Sequence, residues 1–121
     1  MQTTERQKMA THELTSATLD QTIKNNDLVF IDFWATWCGP CKAFGPIYDK
    51  ASEENTDAYF AKVDIDQNQD LAAAAGIQAV PTLAIIKNGQ TIYKEAGALR
   101  KSDLDDLISQ ARKLDMAEAA Q

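Results

Sequence analysis

The sequence predicts an α/β fold in which a central mixed sheet carries helices on both faces. Three observations predict it. Short apolar runs alternate with segments of helical periodicity, the pattern of strand–helix–strand crossovers. One of those runs, Leu28 to Ala35 (LVFIDFWA), is apolar at nearly every position, as in strands covered on both sides. Asn88-Gly89 separates two strand-like runs by two residues, the signature of a tight antiparallel hairpin.

The elements follow in order. A short strand is expected near Met9 to Glu13. The segment LTSATLDQTIKNND reads as a helix, with Thr15 or Ser16 to cap it and Leu19 and Ile23 on one face. After the apolar strand, CGPCKAFGPIYDKASEEN places Phe44, Ile47, Tyr48 and Ala51 at helical spacing, with Pro46 inside the helix as an expected kink. AYFAKVDID is a second buried strand, and NQDLAAAAGI a short helix ended by Gly76. PTLAIIK is a third strand, expected to follow a right-handed parallel crossover. QTIYKEA then returns antiparallel from the Asn-Gly turn. The last helix is expected to start at Ser102, with Asp105 as a capping-box-like partner and an apolar face of Leu104, Leu107, Ile108, Ala111 and Leu114. The tail DMAEAAQ lacks that face and is expected to fray.

The 121 residues suit one domain spanning 1–121, with its core at about 14–114 and peripheral ends at 1–8 and 115–121. Hydrophobic residues make up 45% of the chain, too many for a disordered composition. A net charge of −6 argues against nucleic acid and against an anionic membrane surface as partners. No apolar run reaches membrane-spanning length, and the first sixteen residues hold no signal-peptide core. The expectation is a soluble cytoplasmic protein, in a compartment that keeps thiols reduced.

Both cysteines lie in WCGPCK, at Cys38 and Cys41. A structural staple there would gain little, because a disulfide stabilises chiefly by closing a long loop. Zinc needs about four ligands, and the chain offers two cysteines and His12, which is remote in sequence and reads as an exposed side chain. A metal site shared between subunits is the remaining metal option. Redox chemistry fits the residues better. Cys38 falls where a strand ends and a helix begins, and the free N–H groups of a helix N-terminus favour a thiolate. Gly39 leaves the sulfur unshielded, and Pro40 suits a first helical turn. Cys41, one turn on, lies on the same face, so the two thiols can close and reopen a disulfide through a mixed-disulfide intermediate.

WCGPCK, preceded by IDFWAT and followed downstream by VPT and KNGQ, resembles the thioredoxin family over about Leu14 to Leu114. That resemblance implies the thioredoxin fold and a protein-disulfide reductase. Cys38 would be the nucleophile and Cys41 the resolving thiol. Asp32, a carboxyl in the middle of the apolar strand, would accept a proton from Cys41; a solvent-facing strand position is the plainer reading of it. Lys62 would be the lysine that approaches this aspartate, against the plainer reading of a solvated strand lysine. The resemblance further implies a cis Val80–Pro81 bond packed on the CGPC loop. Trp37, Gly39, Pro40, Ala79, Val80, Pro81, Ala96 and Gly97 would form a weakly polar rim that takes an extended client segment like an added strand. Trp37 reads as the exposed tryptophan and Trp34 as the core one. No cofactor is expected to be bound; electrons would come from NADPH through a flavin-containing thioredoxin reductase, and clients would be proteins with disulfides. A monomer is expected. Ala79, Thr36 and Gly45 depart from the residues usual in the family. A redox-independent binding or chaperone subunit is the alternative reading; an oxidant or isomerase, which would need an oxidising compartment, is a third, disfavoured by the missing signal peptide.

Overall fold

The computed structural model describes residues 10–116. The elements in chain order are β1 (Thr11–Glu13), α1 (Ser16–Asn25), β2 (Leu28–Trp34), α2 (Gly39–Glu54), β3 (Tyr59–Asp64), α3 (Gln69–Ala74), β4 (Thr82–Lys87), β5 (Gln90–Ala96) and α4 (Lys101–Lys113). The expectations for residues 1–8, for Met9 and for the last residues of the tail lie outside the described residues. The five strands form one mixed sheet in the order β1-β3-β2-β4-β5. β2 is central, and six of its seven residues are buried.

Alternation along the strands divides the core in two. Phe30, Phe60, Leu83 and Ile85 point to one face and pack with Phe44, Tyr48 and Ala51 of α2 and Leu104, Ile108 and Ala111 of α4. Val29, Ile31, Phe33, Ala61, Val63, Ala84 and Ile86 point to the other, against Leu19 and Ile23 of α1 and Leu71 of α3. Asp32 and Lys62 sit at the even positions of β2 and β3, opposite each other in register, and so belong to the α2 face.

The third long strand departs from the sequence expectation. β4 runs antiparallel to β2, with Phe33 opposite Thr82 and Leu28 opposite Lys87. A parallel crossover would have to carry the chain back along the full length of β3. Helix α3 has six residues and spans only about 9 Å, while a six-residue strand spans about 20 Å. The connection therefore stays at the end where β3 finishes, and β4 starts from that end. Gly76, at φ +70°, closes α3 with a two-bond C-terminal motif: its N–H donates to the Ala73 carbonyl, and Ile77 N–H to that of Ala72, both at 3.0 Å.

The Asn88-Gly89 turn has positive φ at both residues, 50° and 84°, as a two-residue hairpin of matching twist requires. The last helix begins one residue before the expected Ser102, with Arg100 as its N-cap residue. Asp105 makes no capping box; it accepts from Lys101 Nζ at 3.0 Å, one turn back. At the far end of α4, Lys87 Nζ donates to the carbonyl oxygens of Ala111, Arg112 and Leu114 at 2.7, 2.9 and 2.8 Å. A cation is thereby placed on the negative end of that helix dipole.

Candidate active site

Cys38 is the N-cap residue of α2, and Gly39 and Pro40 open the helix. Strand β2 delivers the chain to this point through Ala35 and an exposed turn at Thr36 and Trp37, so the helix N-terminus faces the end of the sheet. Cys38 and Cys41 are joined in a disulfide, with their Cα atoms 5.3 Å apart. The Cys41 N–H donates to Cys38 Sγ at 3.1 Å. Any negative charge on that sulfur therefore meets an oriented backbone donor and the positive end of a sixteen-residue helix. Both cysteines are largely buried, packed with Ala35, Trp34, Ile65 and Val80. Gly39 and Pro40 are exposed.

The loop before β4 meets the disulfide from the other side. The Val80–Pro81 peptide bond is cis. The Val80 carbonyl oxygen lies 3.5 Å from Cys38 Sγ. Thr82 Oγ1 donates to the Ala79 carbonyl at 2.6 Å, and Gly97 N–H to the Pro81 carbonyl at 2.8 Å. Gly97 reaches that position at φ +116°, a conformation L side chains rarely adopt. Ala79, Ala96 and Gly97 are exposed, Val80 is half-buried and Pro81 is buried. Trp37 is 66% exposed, the one large apolar side chain among the described residues to be so. Its indole Nε1–H donates to Asp66 Oδ2 at 2.9 Å, which fixes the ring beside the disulfide.

Beneath the loop, on the α2 face, lie Asp32, Lys62 and Asp49. Asp32 is 1% exposed, and its Oδ1 has no hydrogen-bond partner among the described residues. Burial lifts its pKa from 3.8 to about 7; the Lys62 ammonium opposes the rise and the Asp49 carboxylate adds to it. Lys62 Nζ is directed at Asp49 Oδ1, 4.0 Å away, and stands 5.4 Å from the centre of the half-buried Trp34 ring. A cleft of about 320 Å³, lined by Trp34, Ala35, Thr36, Cys41, Lys42, Gly45 and Lys62, opens this region to water beside Cys41. At Gly45 a Cβ would stand 3.9 Å from Lys62 Nζ, an ordinary contact. A larger apolar groove of about 450 Å³ lies on the opposite face of the sheet, between α1 and α3, away from the disulfide.

Two residues of this site escaped the sequence reading. Asp66 follows β3 and carries no local motif that ties it to Trp37. Asp49 had a usable signal: Cys41, Gly45 and Asp49 recur every four residues along α2 and so share one stripe of the helix.

Among the described residues no group of three or more His, Cys, Asp or Glu side chains is arranged to hold a metal, and no helix is long and apolar enough to cross a membrane. Comparison with known proteins agrees with the architecture. The thioredoxin family model matches residues 10–110. A putative thioredoxin 2 of Streptomyces coelicolor is 51% identical over 109 residues, covering 90% of this chain and 81% of that protein. A thioredoxin of Porphyra purpurea is 39% identical over 103 residues, covering 84% of this chain and 96% of its own. The solved structure of an N21Q mutant thioredoxin from Halobacterium salinarum superposes with a TM-score of 0.80 at 37% identity, covering 87% of this chain and 93% of that one.

Proposed function

Because this chain belongs to the thioredoxin family, and is a disulfide oxidoreductase with an active-site cysteine pair, we propose that it works as a protein-disulfide reductase with Asp32 as the proton acceptor of its second step. The observation that carries the reading is Cys38 Sγ at the N-terminus of α2, accepting the Cys41 N–H at 3.1 Å, at the end of the strand that carries the buried Asp32 carboxyl.

In the reduced protein the Cys38 thiolate attacks one sulfur of a client disulfide. A Cys38–client bond forms, and the other client sulfur leaves as a thiolate and takes a proton from water. Cys41 then loses its proton and its thiolate attacks Cys38 Sγ. The internal disulfide forms, and the second client sulfur leaves and is protonated. Two electrons have passed to the client, and the Cys38–Cys41 disulfide remains. A carboxyl with a pKa near neutrality suits the removal of the Cys41 proton, because it is partly ionised when the thiol must be deprotonated. The cleft beside Cys41, lined also by Lys62, would admit a water to relay that proton toward Asp32.

Trp37, Ala79, Val80, Pro81 and Gly97, with Gly39 and Pro40, form the surface on which an extended client segment is read. Their small side chains and the fixed indole let a backbone come close to Cys38. The disulfide is recharged by a flavin reductase that draws on NADPH, as family membership suggests, and the domain itself holds no cofactor. The working compartment is the cytoplasm, where client disulfides arise transiently and must be removed.

Insulin disulfide reduction, driven by NADPH and a thioredoxin reductase, tests the reading. Turnover is expected with the natural chain and none with Cys38→Ser. Cys38→Ser activity equal to that of the natural chain would exclude the mechanism. Absence of turnover by a reduced natural chain with dithiothreitol as donor would leave a binding role for the same rim.

A further inference from the structure

The α2 face beneath the redox loop holds two carboxyl groups and one ammonium group: Asp32 from β2, Asp49 from α2 and Lys62 from β3. Register places Lys62 directly beside Asp32 on the neighbouring strand. The closest carboxylate contact of its ammonium group is nevertheless with Asp49 Oδ1, at 4.0 Å. Lys62 and Asp49 are both about a quarter exposed, whereas Asp32 is buried. The ammonium is held at the wet edge of the cleft, next to the Trp34 ring. Asp32 Oδ1 is left without a donor. The other elements packed on Asp32 supply none either. Its β4 neighbour is Leu83, and the Tyr48 hydroxyl of α2 donates to the Ala61 carbonyl at 2.8 Å.

We propose that Asp49 is a positioning residue of the redox site: it holds the Lys62 ammonium at the cleft edge and so keeps Asp32 without a direct counterion. The inference deepens the reading of Asp32 as proton acceptor, and its consequence for turnover rests on that reading. If Lys62 turned to Asp32, the carboxyl would gain a cation within ion-pair range and ionise at lower pH. Asp32 would then be a weaker base for the Cys41 proton. Asp49 therefore sets the pH at which the second step of the exchange speeds up, without touching sulfur or client.

The test is the carboxyl carbon titration of Asp32, followed by NMR in the oxidised full-length chain. Asp49→Asn keeps the shape of a partly exposed side chain, and it is expected to lower the Asp32 midpoint by about one pH unit. Asp49→Glu is expected to restore it. Lys62→Ala is expected to raise the midpoint, and in that background Asp49→Asn should shift it much less. An unmoved midpoint in Asp49→Asn would overturn the inference. A shift of the same size with and without Lys62 would also overturn it, because Asp49 would then act on Asp32 directly. Single-turnover release of the mixed disulfide separates the two claims. If the midpoint moves in Asp49→Asn but the pH profile of release does not, the holding of Lys62 stands and the role of Asp32 as proton acceptor fails.

Discussion

On the seam between α4 and the loop after α2, Arg112 donates two hydrogen bonds to Asp57 and one to Asn55, all at 2.9 Å and in the open. Under the redox loop, Asp32 is buried and its Oδ1 meets no donor. The pKa values diverge accordingly: Arg112 holds the Asp57 carboxyl below its ordinary value, and burial lifts Asp32 to about 7. The only buried side-chain polar atoms without a hydrogen-bond partner among the described residues are Asp32 Oδ1 and Asp49 Oδ1, the latter in ion-pair range of Lys62 at 4.0 Å. Both lie in the same site. A buried carboxyl oxygen without a hydrogen bond costs stability, so the gathering of both such oxygens in one region marks that region as a candidate functional site and sets it apart from the well-bonded seam.

The largest effect expected from that contrast is on the pH dependence of stability. The folded pKa of Asp32 is raised from 3.8 to about 7, so between those values the unfolded chain has released a proton that the folded chain still holds. Stability is therefore highest below pH 3.8 with respect to this group, falls as pH rises, and levels off above about 7. The full loss is about 4 kcal/mol. Urea unfolding of the oxidised chain at pH 5 and pH 8 should show most of this fall, and Asp32→Asn should flatten it. The same variant should slow release of the mixed disulfide near neutral pH. A wild-type curve that rises from pH 5 to pH 8 and matches the variant's would remove the contrast altogether.

An intermediate effect is expected at the C-terminus of α4. Lys87 is half-buried and places its ammonium on the last carbonyls of the helix, those of Ala111, Arg112 and Leu114, of which Ala111 also accepts the Leu114 N–H. Lys87→Met keeps the stem and removes the donors. It should cost about 1–3 kcal/mol in urea unfolding, since hydrogen bonds to charged groups are worth more than neutral ones. It should leave insulin reduction by the folded protein unchanged. A loss of activity without a loss of stability would mean that the two regions are coupled.

The sequence carried those parts of this design that depend on near neighbours. Leu28–Trp34 reads as a buried strand because its own residues are apolar, and Asn88-Gly89 reads as a hairpin because two residues suffice to turn the chain. Cys38 and Cys41 stand out because a helix start and a three-residue spacing are local features. The direction of β4 was not legible, because it depends on how little distance α3 can cover. Nor was the start of α4: Ser102 is the better capping residue, yet the chain enters the helix at Arg100. Lys62 was legible as a neighbour of Asp32 but not as a partner of Asp49, because that contact joins β3 to α2 and needs the packed sheet to exist. Local propensity reaches Cys38 and Cys41, and tertiary packing decides the surroundings of Asp32.

The smallest effect is expected where the geometry looks most complete. Arg112 forks onto Asp57 with two bonds of 2.9 Å, but the side chains are 40% and 58% exposed. Water competes for both groups and salt screens them, so Arg112→Ala should cost only about 0.2–1 kcal/mol, and less at 1 M salt. Its contribution is present above the ordinary Asp57 pKa and lost as pH falls through the lowered one, the opposite slope to that of Asp32. Urea unfolding of Arg112→Ala at low and high salt measures it. A cost above that of Lys87→Met, or one indifferent to salt, would show the seam to be drier than its exposure implies. The contrast would then lie between two buried sites, one with a partner and one without.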